Sequence, residues 1–125
     1  MTIPKRLLFV DDEPNIRLTL PPVLESHGFA VTTAATVSEA VAKIHGAEFD
    51  VLLSDLNIGE EDNGFQVISA MRTTHPHCVT VILTGYPTFE SALLAIRHQV
   101  DEYLVKPADI DALVTTINQK LSTRG

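Results

Sequence analysis

The sequence predicts an α/β domain in which a parallel sheet carries helices on both faces. Three observations predict it. Short apolar runs, too brief for helices, recur along the chain. The stretches between them place apolar residues at helical spacing. The two kinds of segment alternate, five of each, which implies parallel strands joined by right-handed helical crossovers.

The first run is Leu7-Leu8-Phe9-Val10. It does not alternate with polar residues, so it reads as a strand buried on both faces. Ile16, Leu20, Val23 and Leu24 then form a helical stripe. Pro21 and Pro22 fall inside it. An interior proline removes a hydrogen bond and costs about 3 kcal/mol, so a kink or break is expected near Leu20. Phe29-Ala30-Val31-Thr32-Thr33 alternates large and small or polar residues and suits an edge strand. The second stripe, Val37, Ala40, Val41 and Ile44, is opened by Thr36 with Glu39 three residues on, a capping box. Val51-Leu52-Leu53 is the third run, and Val67, Ile68 and Met71 the next stripe. The fourth run, residues 79–83, follows Cys78, which reads as a small buried hydrophobe. Phe89, Ala92, Leu93 and Ile96 make the fourth stripe. Tyr103-Leu104-Val105 is the last run, again read as doubly buried. Ile110, Leu113, Val114, Ile117 and Leu121 close the pattern. Every stripe is expected to face the core.

Composition narrows the function classes. The chain has 125 residues and reads as one domain over 1–125. It carries 9 Lys+Arg against 16 Asp+Glu, a net charge of −7. That balance disfavours direct binding of nucleic acid or anionic membrane, which select basic surfaces. One cysteine excludes an internal disulfide framework and a thiolate-only metal site. No apolar run approaches the ~18 residues of a membrane span, and Met1-Thr2-Ile3-Pro4-Lys5-Arg6 is not a signal peptide. A cytoplasmic domain is expected.

In folds of this class, ligands sit outside the carboxyl ends of the strands. The residues there are Asp11-Asp12-Glu13, Ser54-Asp55-Leu56-Asn57, Thr84-Gly85-Tyr86 and Lys106-Pro107. Each piece alone is an ordinary turn or cap. On one rim they are chemistry. Asp11, Asp12 and Asp55 would repel one another, and a divalent cation relieves that repulsion. An all-oxygen donor set without His or Cys suits Mg2+. With the Lys106 ammonium, the cation can neutralise phosphoryl oxygens, while the Thr84 hydroxyl donates to one and Gly85 leaves the approach clear. One carboxylate can then attack phosphorus to form an acyl phosphate. Asp55 is the better nucleophile, because Asp11 and Asp12 form an adjacent pair suited to metal.

These residues resemble the receiver domain of two-component response regulators, over about Arg6 to Leu121. The marks are Val10-Asp11-Asp12-Glu13, Ser54-Asp55-Leu56-Asn57, Leu83-Thr84-Gly85-Tyr86 and Tyr103-Leu104-Val105-Lys106-Pro107. The resemblance implies a flavodoxin-like, doubly wound five-stranded sheet of order 2-1-3-4-5 with five helices. It implies that Asp55 accepts a phosphoryl group from a histidine kinase or phosphotransfer protein. Asp12 and Asp55 would bind Mg2+ through their side chains, Asn57 through its backbone carbonyl and Asp11 mostly through water. Lys106 would pair with the phosphate, Thr84 would move toward it, and Tyr103 would turn inward behind Thr84. Helix four, strand five and helix five would form the output surface, toward an output domain or target protein. Tyr86 would modulate access of the hydrolytic water, and the Lys106–Pro107 peptide bond would be cis. Such a domain is no enzyme beyond catalysing its own phosphorylation and dephosphorylation.

The departures are specific. Gly59 stands where the family commonly has proline, and the glycine opening helix three comes one residue late, at Gly64. The lengthened loop carries Glu60, Glu61 and Asp62. Gln99-Val100 replaces a small Gly-Ala pair before strand five. Two other classes remain open at this point. One is a Mg2+-dependent phosphatase with an aspartyl-phosphate intermediate, although Asn57 cannot act as its second acid. The other is a phosphorylation-independent scaffold.

Overall fold

The structure, a computed structural model, describes residues 3–124. Met1, Thr2 and Gly125 lie outside the described residues. Strands and helices alternate: β1 (Lys5–Val10), α1 (Pro14–Ser26), β2 (Phe29–Ala34), α2 (Val37–Gly46), β3 (Val51–Ser54), α3 (Gly64–Thr74), β4 (Val79–Thr84), α4 (Phe89–Arg97), β5 (Glu102–Val105) and α5 (Ile110–Arg124). All neighbouring strands are parallel, in the order β2-β1-β3-β4-β5. This is the flavodoxin-like arrangement.

Side chains alternate across β1 and divide the core in two. Leu8 and Val10 join Leu52, Ile82 and residues of α2, α3 and α4 on one face. Leu7 and Phe9 join Leu53, Val81 and residues of α1 and α5 on the other. β1, β3 and β4 have a helical layer on both sides, which explains why their runs are apolar without alternation.

Three expectations need correction. α1 runs as one helix through Pro21 and Pro22, so the expected break does not occur. The two prolines delete the donors that would meet the Arg17 and Leu18 carbonyls, but Leu18 is exposed and water can satisfy that side. Leu20 and Leu24 are buried on the sheet and hold the helix to it. β5 is an edge strand, half-buried with Val105 exposed, because the strand order leaves it only β4 as a partner. The fourth apolar stripe faces outward: Phe89 is 74% exposed, Leu93 41% and Ile96 73%. The inner face of α4 is instead formed by the small residues Ser91 and Ala95. Small side chains let the helix approach the sheet closely, and the large ones are left outside.

The capping box of α2 takes a shifted form. Thr36 Oγ1 accepts from Glu39 N at 3.1 Å, while the Glu39 carboxylate accepts from Ala35 N, one residue earlier, at 2.6 Å. Cys78 is buried beside β4, as expected. Among the described residues no helix is long and apolar enough to cross a membrane.

Candidate functional site

The order of strands reverses at β1, whose neighbours are β2 and β3. Asp11 follows β1 and Asp55 follows β3. Val10 and Ser54 are register partners, and Asp55 N donates to the Val10 carbonyl at 2.8 Å. The two carboxylates are therefore brought face to face by the ladder itself. Lys106 follows β5, with its N–H bonded to the Thr84 carbonyl at 2.8 Å.

Lys106 bridges the pair. Its Nζ donates to Asp11 Oδ2 at 2.7 Å and to Asp55 Oδ2 at 3.1 Å. Burial on its own would lower the pKa of this ammonium. The hydrogen bond and charge of Asp11, then those of Asp55, outweigh burial and hold Lys106 above its ordinary value. The other oxygens are also positioned. Asp11 Oδ1 accepts from Glu13 N at 2.9 Å. Asp55 Oδ1 accepts from Leu56 N at 2.6 Å and Asn57 N at 3.2 Å. Asp11 and Asp55 are buried, whereas Asp12 is exposed.

Oxygen atoms of Asp11, Asp12 and Asp55 all lie within 4.8 Å of one another. Three carboxylates facing one ammonium leave an excess of negative charge on oxygen donors alone, and this set fits a hard divalent cation such as Mg2+. The cleft around it, about 790 Å³, is also lined by Asn57, Glu60, Glu61, Asp62, Gly85 and Tyr86. Thr84 is fully buried, and its Oγ1 accepts from Tyr86 N at 3.2 Å. Tyr86 is 78% exposed at the mouth. A Cβ at Gly85 would meet only Lys106 Cδ, at 3.9 Å, so packing here does not demand glycine.

Gly64 is different. A Cβ there would collide with the Asp55 carbonyl oxygen and lie 2.9 Å from Leu56 Cα. The helix start is pressed against the backbone that presents Asp55, and only glycine permits it. The loop before it is closed by side chains. Asn63 Oδ1 accepts from Ile58 N at 2.6 Å and its Nδ2 donates to the Ile58 carbonyl at 2.7 Å. Asn57 Oδ1 accepts from Asp62 N at 2.8 Å. Gly59 and Asp62 adopt left-handed backbone, with φ of 82° and 58°. The closing role of Asn63 has no signature in the sequence. The partner of this side chain is five residues away across an irregular loop, for which no periodicity exists to read.

Tyr103 already packs against the core in this structure, and its hydroxyl lies 2.6 Å from Ser91 Oγ. The Lys106–Pro107 peptide bond is cis, as the resemblance implies. The cap of α4 survives the loss of the Gly-Ala pair. Gln99 takes the left-handed conformation, φ 57°, and its carbonyl accepts from Arg72.

Fold and rim together define a parallel α/β domain with a carboxylate–lysine pocket at its switch point. The chain belongs to the response regulator receiver domain family, which matches residues 7–118. It is 36% identical over 119 residues to the alginate biosynthesis transcriptional regulatory protein AlgB of Pseudomonas aeruginosa, covering 95% of this chain and 26% of that protein. The chain thus spans about a quarter of such a relative's length. A CheY-like receiver domain from Methanospirillum hungatei superposes with a TM-score of 0.89 at 29% identity, covering 97% of this chain and 96% of the other. The beryllofluoride-activated NtrC4 receiver domain dimer does so with 0.85 at 31% identity, covering 96% and 98%.

Proposed function

We propose that this chain, as one receiver unit, takes a phosphoryl group onto Asp55 and signals through the face formed by α4, β5 and α5. The observation that carries the reading is the Lys106 ammonium held between Asp11 and Asp55 at the switch point.

Asp12 and Asp55 would hold Mg2+ through their side chains, Asn57 through its carbonyl, and Asp11 through water. When bound, the cation supplies positive charge beside the phosphoryl oxygens. The chain's own groups do the rest. Leu56 N and Asn57 N fix Asp55 Oδ1 and orient the carboxylate. An Asp55 oxygen attacks phosphorus of a phosphohistidine on a kinase or phosphotransfer protein. The O–P bond forms as the N–P bond breaks, and the imidazole leaves with the electron pair. Lys106, kept charged by its two carboxylates, neutralises phosphoryl oxygen as charge builds there. Tyr86, at the mouth, shields the acyl phosphate from hydrolytic water and slows its loss, and the domain's chemistry is its own phosphorylation and dephosphorylation.

Phosphorylation adds almost two negative charges and three acceptor oxygens at Asp55. These draw the Thr84 hydroxyl away from Tyr86 N and give Tyr103 a changed neighbour. Moving a population from 1:99 to 99:1 takes about 5.5 kcal/mol. Two or three charge-assisted hydrogen bonds at about 1.5–3 kcal/mol each reach that scale. The exposed Phe89, Leu93, Ile96 and Val105 supply an apolar contact face for an output domain or target protein. The net charge of −7 keeps this domain off nucleic acid and anionic membrane, and the cytoplasm is its setting.

Intact mass after incubation with Mg2+ and acetyl phosphate tests the reading. A single phosphoryl adduct is expected in wild type and none in Asp55→Asn. An adduct that persists in the variant would overturn Asp55 as acceptor. Turnover of a small phosphomonoester would replace the reading with a phosphatase. No adduct from acetyl phosphate or from any phosphotransfer protein would leave the scaffold.

A further inference from the structure

Ser91 is fully buried on the inner face of α4, and its hydroxyl has three neighbours. Thr88 N, which can only donate, is 3.1 Å away. The Thr88 carbonyl oxygen, which can only accept, is 3.0 Å away. Tyr103 Oη is 2.6 Å away. A hydroxyl has one proton and two lone pairs. All three bonds form together only if Ser91 donates to the Thr88 carbonyl and Tyr103 donates to Ser91. The oxygen that closes the capping box of α4 is then the same oxygen that holds the Tyr103 ring.

We infer that Ser91 is a positioning residue of the switch, tying the Tyr103 ring to the cap of α4 so that ring and helix start change place together. This rests on the reading of Thr84 and Tyr103 as the switch pair. Only Gly85, Tyr86 and Pro87 separate Thr84 from Thr88. Thr84 Oγ1 also holds that segment through Tyr86 N. A move of the Thr84 hydroxyl therefore reaches the cap through three residues and reaches Tyr103 through Ser91. The apolar residues Phe89, Leu93 and Ile96 stand on the outer face of the same helix. A displaced cap re-presents them to a partner. A residue that merely capped α4 would be indifferent to the Tyr103 hydroxyl, and this separates the two roles.

The test compares wild type, Tyr103→Phe, Ser91→Ala and the double variant by amide hydrogen exchange at Thr88 and Ala92, each with and without Mg2+ and beryllofluoride. The 13Cζ resonance of Tyr103 is followed in wild type and Ser91→Ala. Tyr103→Phe keeps both capping bonds of Ser91. Loss of one hydrogen bond is expected to speed exchange at Thr88 by about three- to tenfold even in the free protein. Ser91→Ala is expected to speed it further and to shift the Tyr103 resonance. The double variant should exchange no faster than Ser91→Ala alone, the non-additivity of a shared contact. Unchanged exchange in Tyr103→Phe, or an unmoved Tyr103 resonance in Ser91→Ala, would overturn the inference and leave Ser91 as a cap. Beryllofluoride that leaves the amides around Asp55 in place would overturn the phosphoacceptor reading instead. The free-protein comparison would still decide for or against the link.

Discussion

Each end of the sheet carries a polar cluster, and the two are built on opposite electrostatic terms. At the amino ends of β4 and β5, Arg72 donates to Thr80 Oγ1 at 3.0 Å, to Asp101 Oδ2 at 3.2 Å and to the carbonyls of Pro76, Cys78 and Gln99. Asp101 Oδ2 also accepts from Thr80 N at 2.8 Å. One cation meets one carboxylate, and only Arg72 Nε lacks a partner among the buried side-chain atoms described. At the carboxyl ends, seven carboxylates line a cleft with a single ammonium. The first cluster is neutral and nearly complete, and it joins α3 to the end of α4. The second is left with negative charge in excess. A fold gains nothing from unrelieved repulsion, so the imbalance marks the end where a cation would complete the structure.

Breaking the balanced cluster should have the largest effect on stability. Arg72→Ala removes several hydrogen bonds, three of them to carbonyls, and deprives Asp101 of its cation. It is expected to cost about 2–3 kcal/mol in urea unfolding while leaving Mg2+ affinity within about twofold. A comparable loss of metal affinity would mean that the two ends are coupled. The unbalanced cluster should answer the other way. Asp12→Asn is expected to stabilise the metal-free protein by roughly 0.5 kcal/mol through relieved repulsion, and to weaken Mg2+ binding by about tenfold or more through loss of a charged ligand. Titrating Tm against Mg2+ reads both, because binding to the folded state raises Tm by mass action. A destabilised variant with intact affinity would remove Asp12 from the metal set.

The smallest effect belongs to the acidic loop. Glu60 and Glu61 are exposed and Asp62 half-buried, yet all three line the cleft. Glu60→Gln/Glu61→Gln/Asp62→Asn keeps shape and removes charge. Adduct formation from the anionic acetyl phosphate is expected to rise about two- to threefold at low salt and to converge on wild type near 1 M, where screening acts over about 3 Å. A rate unchanged at every ionic strength would mean that these carboxylates are only solvated.

Much of this protein was legible in its sequence. Doubly buried runs can only be central strands of a covered sheet, so the class of fold followed from β1, β3 and β4 before any contact was known. Asp11, Asp12, Asp55, Thr84 and Lys106 were legible for a related reason. They end or closely follow β1, β3, β4 and β5, and parallel strands deliver such residues to one rim.

What tertiary structure alone decided lies where local pattern has no unique solution. α4 carries apolar residues on two faces, and periodicity could not choose between them. The close approach of Ser91 and Ala95 to the sheet turned Phe89, Leu93 and Ile96 outward. The edge position of β5 came from strand order, which a run of three apolar residues does not encode. Pro21 and Pro22 are helix breakers by local rules, but burial of Leu20 and Leu24 outweighed two lost donors. Gly64 and Ser91 act through partners brought close by the fold, the Asp55 backbone and the Tyr103 hydroxyl. Hydrophobic patterning is a property of the chain and can be read along it. Contacts between distant side chains are a property of packing and exist only once the layers meet.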